Sequence, residues 1–117
     1  MLRLTINGKA ILAKLIDSET TRDFISLMPL TLTMNDLCRR EKFASLPRAL
    51  LNAGKHKNTY AVGEIAYWPP GPDVAIFYRH DNENIPDPGI IPIGKIRSGY
   101  EALSARGPVK VTFELLT

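Results

Sequence analysis

Apolar and polar residues alternate one by one near both ends of this sequence and again between them. Leu2, Leu4 and Ile6 are set against Arg3 and Thr5, and Val109, Val111, Phe113 and Leu115 against Lys110, Thr112 and Glu114. Leu30, Leu32 and Met34 are set against Thr31 and Thr33. A period of two sends successive side chains to opposite faces of an extended chain, so each run reads as a strand with one face in a core. Asn7-Gly8 after the first run is the strongest short hairpin signal, and residues 9–16 form the returning strand.

Elsewhere the pattern is punctuated. Asp17 or Ser18 caps a short helix in which Phe24, Leu27 and Met28 share one face, and Pro29 stops it. Residues 35–59 lose periodicity and read as a long irregular connection, with one helical turn near residues 46–51. Residues 60–68 and 74–79 are rich in β-formers and flank the turn Pro69-Pro70-Gly71-Pro72-Asp73, a second hairpin. Residues 90–96 form a strand that tolerates Pro92 at a bulge or an unpaired edge, and residues 98–106 form a second short helix ended by Gly107-Pro108.

Seven strand-like runs with two short helices fit a sandwich or a closed barrel. Closure is expected, because the apolar last run carries little lysine or proline to blunt an edge and is best paired with the first strand. The helices are then expected to cover the two openings. At 117 residues, 44% hydrophobic and 23% charged, the chain has the size and composition of one folded domain spanning residues 1–117.

No apolar run approaches the roughly 18–20 residues that cross a bilayer, and the alternating N-terminal segment lacks the apolar core of a signal peptide. Together with Cys38 as the sole cysteine, this reads as a cytoplasmic protein with no membrane partner, no disulfide and no multi-thiolate metal site. The net charge of +3 is unevenly placed: residues 39–57 are net +5, leaving −2 for the rest. Solvated loop charge is the preferred reading; an anionic partner is the alternative, with nucleic acid disfavoured because only Phe43 and Tyr60 supply stacking surfaces nearby.

Gly63-Glu64-Ile65-Ala66-Tyr67-Trp68, Val74-Ala75-Ile76-Phe77-Tyr78 and Ile93-Gly94-Lys95-Ile96 before a helix resemble the cyclophilin-type barrel over nearly the whole chain. Ile6-Asn7-Gly8-Lys9 and Leu30-Thr31-Leu32-Thr33-Met34 narrow the resemblance to small stand-alone prokaryotic cyclophilin-like proteins, largely without assigned activity. The resemblance implies a mostly-β fold, a closed eight-stranded barrel with a helix at each end, and hence one more strand within residues 39–59. True cyclophilins isomerise X-Pro bonds with an arginine on the third strand. The strand beginning at Leu30 carries none, and Arg39 and Arg40 follow it.

Among chemistry-bearing residues, Cys38 beside Arg39 and Arg40 has the setting of an activated thiol, although a buried structural thiol is preferred. His80, Asp81, Glu83 and Asp87 have metal-ligand side chains without a ligand spacing, and no motif calls for a cofactor. The large side chains Met34, Phe43, Tyr60, Trp68 and Phe77, with Arg39 for an anionic or carbonyl group, form the candidate ligand site. Three functions follow as alternatives: a module binding a small molecule or peptide in a groove beside the barrel, a divergent prolyl isomerase using Arg39, or an interaction protein acting as a homodimer.

Overall fold

The computed structural model describes residues 1–116. Strands β1 (Leu2–Ile6), β2 (Lys9–Leu15), β3 (Leu30–Leu37), β4 (Glu41–Ser45), β5 (Glu64–Trp68), β6 (Asp73–Phe77), β7 (Ile91–Ile96) and β8 (Val109–Leu115) form one closed antiparallel barrel in the order β1-β2-β7-β5-β6-β4-β3-β8. Helix α1 (Glu19–Ile25) follows β2, and a single 3₁₀ helix (Tyr100–Ser104) follows β7. The expected mostly-β closed barrel is the observed fold, with the eight strands that the resemblance implies rather than the seven counted from the residues. The eighth strand is β4, inside the stretch that lacked periodicity. Residues 46–51 form no helical turn, and the second helix is a 3₁₀ turn rather than an α-helix.

The alternating runs do what their period requires. Leu2, Leu4 and Ile6 are buried while Arg3 and Thr5 lie at the surface, and β8 sits between β1 and β3, pairing Phe113 with both Leu4 and Leu30. The Asn7-Gly8 turn has positive φ at both residues (50° and 81°), the two-residue turn whose twist suits a hairpin. Pro92 is accommodated by a register shift: Ile65 pairs with Gly94 but Ala66 with Pro92, so Ile93 is the extra residue of a bulge.

Both helical elements reach into the barrel. Ser18 caps α1 by accepting a hydrogen bond from the Thr21 N–H, and Asp17 pairs with Arg22 on the surface. Phe24 of α1 packs edge-on against Phe113 at 5.4 Å between centroids, and Leu103 of the 3₁₀ helix is wholly buried in the same interior cluster. Among the described residues no helix is long and apolar enough to cross a membrane.

Gly63, which opens β5, has φ +91°, and a Cβ there would lie 2.4 Å from the Ile96 carbonyl oxygen. Left-handed geometry and a backbone clash act together at this position. Gly63→Ala is expected to lower stability by at least about 2 kcal/mol in urea unfolding, against about 0.5 kcal/mol or less for a surface substitution.

Candidate functional site

Strands β4, β5 and β6 lie side by side, and their side chains divide between two apolar bodies. Ala44, Ile65, Tyr67, Val74 and Ile76 point inward to the main core. Ala66, Ala75 and Phe77 point outward and join Tyr60, Ile85 and Ile90 in a second buried cluster, with Phe43 and Trp68 packed against it. A barrel wall facing water would be polar on this side. Here the outward face is apolar because residues 78–90 fold over it, tied down by hydrogen bonds from the Ile85 N–H to the Asn58 carbonyl (2.7 Å) and from the Asn58 side chain to the Ile85 carbonyl (2.9 Å), and by the bridge between Lys57 and Ile90.

The covering segment does not close completely. It leaves a groove of about 190 Å³ whose floor is Ala75 and whose sides include Phe43, Trp68, Phe77 and Ile85. The floor is low because Ala75 is the direct partner of both Phe43 and Ala66, placing two of the smallest apolar side chains next to each other beside Phe43. Glu41 and Arg40 stand at one side of the groove and Asp73 also borders it.

Arg40 is the group that sequence reasoning passed over in favour of Arg39. It is 9% exposed, its Nε donates to Glu41 Oε1 at 3.0 Å and its Nη2 donates to the same oxygen, while Nη1 lies 3.6 Å from Asp81. Its guanidinium also stands over the rings of Tyr60 (5.3 Å) and Phe77 (5.8 Å). Tyr60 is stacked between Phe77 and His80 and donates its hydroxyl hydrogen bond to Asp81 at 2.7 Å. Burial pushes the Glu41 carboxyl above the usual carboxylate range, although the Arg40 guanidinium opposes that rise. Asp81 is held below it by hydrogen bonds from Tyr60 and from the Glu83 N–H.

Arg40 is positioned by the turn before it. Cys38 and Arg39 both have positive φ (56° and 52°), and the Arg40 N–H donates to the Leu37 carbonyl, closing a turn usually built from Asn and Gly. Left-handed geometry at two residues with side chains costs about 1–2 kcal/mol each. Cys38, read from sequence as a buried structural thiol, is exposed at this turn.

Of the residues anticipated as a site, Phe43, Trp68 and Phe77 line one groove, and Tyr60 packs behind Phe77 in the same cluster. Met34 is wholly buried in the barrel interior. Arg39 turns toward the 3₁₀ helix, donating to the Ser104 carbonyl at 2.9 Å. Next to it a second polar cluster holds the 3₁₀ helix in place: the fully buried Lys42 donates to the Ala105 and Gly107 carbonyls at 2.8 and 2.6 Å and pairs with Asp36 at 3.2 Å. No sequence pattern marked Lys42, since a lysine on a strand normally faces water.

A model of the cyclophilin-like family matches residues 4–114. The chain belongs to the cyclophilin-like family. The solution structure of a hypothetical protein from Archaeoglobus fulgidus superposes with a TM-score of 0.75 at 23% identity, covering 97% of this chain and 92% of the archaeal one. That likeness shows a shared fold and carries no activity with it. No curated protein matches the sequence.

The cyclophilin-like barrel thus has a charged cluster inside its mouth as well as one beside its groove. Tyr78 donates a hydrogen bond to Asp36; burial, reinforced by that carboxylate, pushes the Tyr78 hydroxyl up to about 12. Burial raises Asp36, but hydrogen bonds from Tyr78, the Arg39 N–H and Lys42 outweigh it and hold the carboxyl below its ordinary range. Above pH 10 the unfolded chain loses the tyrosine proton that the folded chain keeps, so stability falls as pH rises from about 10 toward about 12. In urea unfolding across that window, Tyr78→Phe and Asp36→Asn are each expected to reduce the fall, with a remainder from Tyr60, which burial also raises.

Proposed function

We propose that this cyclophilin-like domain is a binding module that takes a small apolar group, from a small molecule or a peptide side chain, into the groove over Ala75. The observation that carries this reading is an apolar outer barrel wall kept partly open by small residues. Phe43, Trp68 and Phe77 supply the walls, and the charged Arg40–Glu41–Asp81 cluster beside them orients the polar part of the ligand. Tyr60 supports Phe77 from behind. Met34 and Arg39 stay outside this contact set because the first is enclosed in the barrel and the second serves the 3₁₀ helix.

Trp68 is the sole tryptophan, so its emission reports the groove directly. Titration with blocked proline dipeptides and a panel of small aromatic and aliphatic acids is expected to shift Trp68 emission saturably, and Ala75→Leu, which raises the floor, is expected to weaken binding about tenfold or more. Unchanged emission across the whole panel, or equal affinity in Ala75→Leu, would refute the binding reading.

A divergent prolyl isomerase is the second reading, supported by a guanidinium beside an apolar groove. Lowering the roughly 18–20 kcal/mol rotation barrier calls for a donor free to reach the prolyl amide. Two Arg40 donors are already committed to Glu41, and Asp81 lies beside a third. A proline-peptide isomerisation assay with no rate above background would end this reading and leave the binding reading standing.

A further inference from the structure

The basic character of residues 39–57 is largely neutralised within the fold: Arg39, Arg40, Lys42, Arg48 and Lys57 each lie beside a carboxylate. Lys55 is the exception in that segment; outside it Lys9, Lys14, Lys95 and Arg97, none in an ion pair among the described residues, gather on β2 and the end of β7. Lys14 and Lys95 are direct cross-strand partners, a like-charge pair; Glu64 lies opposite Lys95 on its other side but is itself paired with Lys57.

The same region contains an unfilled sheet edge. β2 pairs with β1 from residue 9 to residue 13, but with β7 only from residue 13 to residue 15. In a two-residue hairpin Ile6 and Lys9 exchange hydrogen bonds, as then do Leu4 with Ile11 and Leu2 with Ala13, so Ala10 and Leu12 turn their N–H and C=O groups away from β1. The Ala13–Ile96 pairing sets the Leu12 carbonyl opposite the Arg97 N–H, and no backbone hydrogen bond outside the ladders reaches Ala10 or the Leu12 N–H among the described residues.

Beyond that edge the chain from Arg97 leaves the barrel and opens a groove of about 620 Å³. Gly99 forms its far wall against Ile11: a Cβ on Gly99 would lie 3.2 Å from the Ile11 Cγ1. Lys9, Lys14 and Arg97 line the groove against the single carboxylate of Glu101, and Leu12, 48% exposed, adds an apolar surface.

We propose that residues 9–12 of β2 are a docking edge for an extended acidic segment of a partner protein, which adds to the sheet as a short strand. Backbone pairing with Ala10 and Leu12 supplies the geometry, and the cations select the sequence. Charge complementarity separates this occupant from a second copy of the chain, since symmetric pairing of two β2 edges would bring Lys9 of one copy near Lys14 of the other. The edge lies round the barrel from the groove over Ala75, so neither proposal depends on the other.

The test uses ¹⁵N-labelled full-length protein with two blocked peptides, one alternating Glu and Val and one alternating Lys and Val. The acidic peptide is expected to slow amide exchange at Ala10 and Leu12 by about tenfold or more at saturation, and the basic peptide to leave it unchanged. Ala10→Pro removes the N–H facing the gap at a position where an edge strand tolerates proline, and is expected to weaken the acidic peptide about tenfold. If that variant is unfolded by circular dichroism, Leu12→Pro takes its place. Lys14→Glu with Arg97→Glu is expected to invert the preference between the peptides. The proposal is overturned by unprotected Ala10 and Leu12 amides, by proline variants that bind as well as the parent, by an uninverted preference, or by protection that grows with protein concentration alone.

Discussion

The structure depends on β8 being hydrogen-bonded on both sides. With β1 on one flank and β3 on the other, it turns what would be an open sheet into a closed wall and places Val111 and Phe113 in the interior. Without that double pairing, β1 and β3 would each present an open flank, and the apolar faces of Leu2, Leu4 and Ile6 would lose their cover. Phe24 of α1 is anchored on Phe113 itself, so the helix that enters the barrel also rests on the closing strand.

Closure also determines where specific chemistry is placed. The interior is filled by side chains and has room for little else, so distinctive groups lie at the mouth, on the outer wall, or where a ladder stops short. Lys42 and Asp36 lie inside the mouth, Phe43, Trp68 and Arg40 on the wall, and Ala10 and Leu12 where the β2–β7 ladder stops. Lys42 is stable there because its ammonium has two carbonyls and a carboxylate around it, which offsets a desolvation cost of several kcal/mol.

Most of the barrel was legible in the sequence because alternation is a direct print of a wall with one buried side. β1, β3 and β8 announced themselves in this way, and Asn7-Gly8 named its turn. β4 did not, for two physical reasons. Its entry turn uses Cys38 and Arg39 where the conformation favours Asn and Gly, and its faces are both occupied, so Lys42 and Ala44 inside and Phe43 outside show no polar alternation. The choice of Arg39 over Arg40 shares that origin: one residue of register decides which of two adjacent arginines faces the groove, and the turn conformation that sets the register is invisible in the residue names. Phe43, Trp68 and Phe77 were recognisable as large side chains, whereas Ala75, which makes room between them, was not.

In β4, β5 and β6, odd and even positions are read by different surroundings. In β6, Val74 and Ile76 answer to the barrel, while Ala75 and Phe77 answer to whatever occupies the outer wall. The strand therefore carries two interleaved texts, one set by the barrel interior and the other by the second cluster and the groove beside it. Outer-wall positions are thus free to differ between barrels whose interior pattern, and hence superposition, is kept.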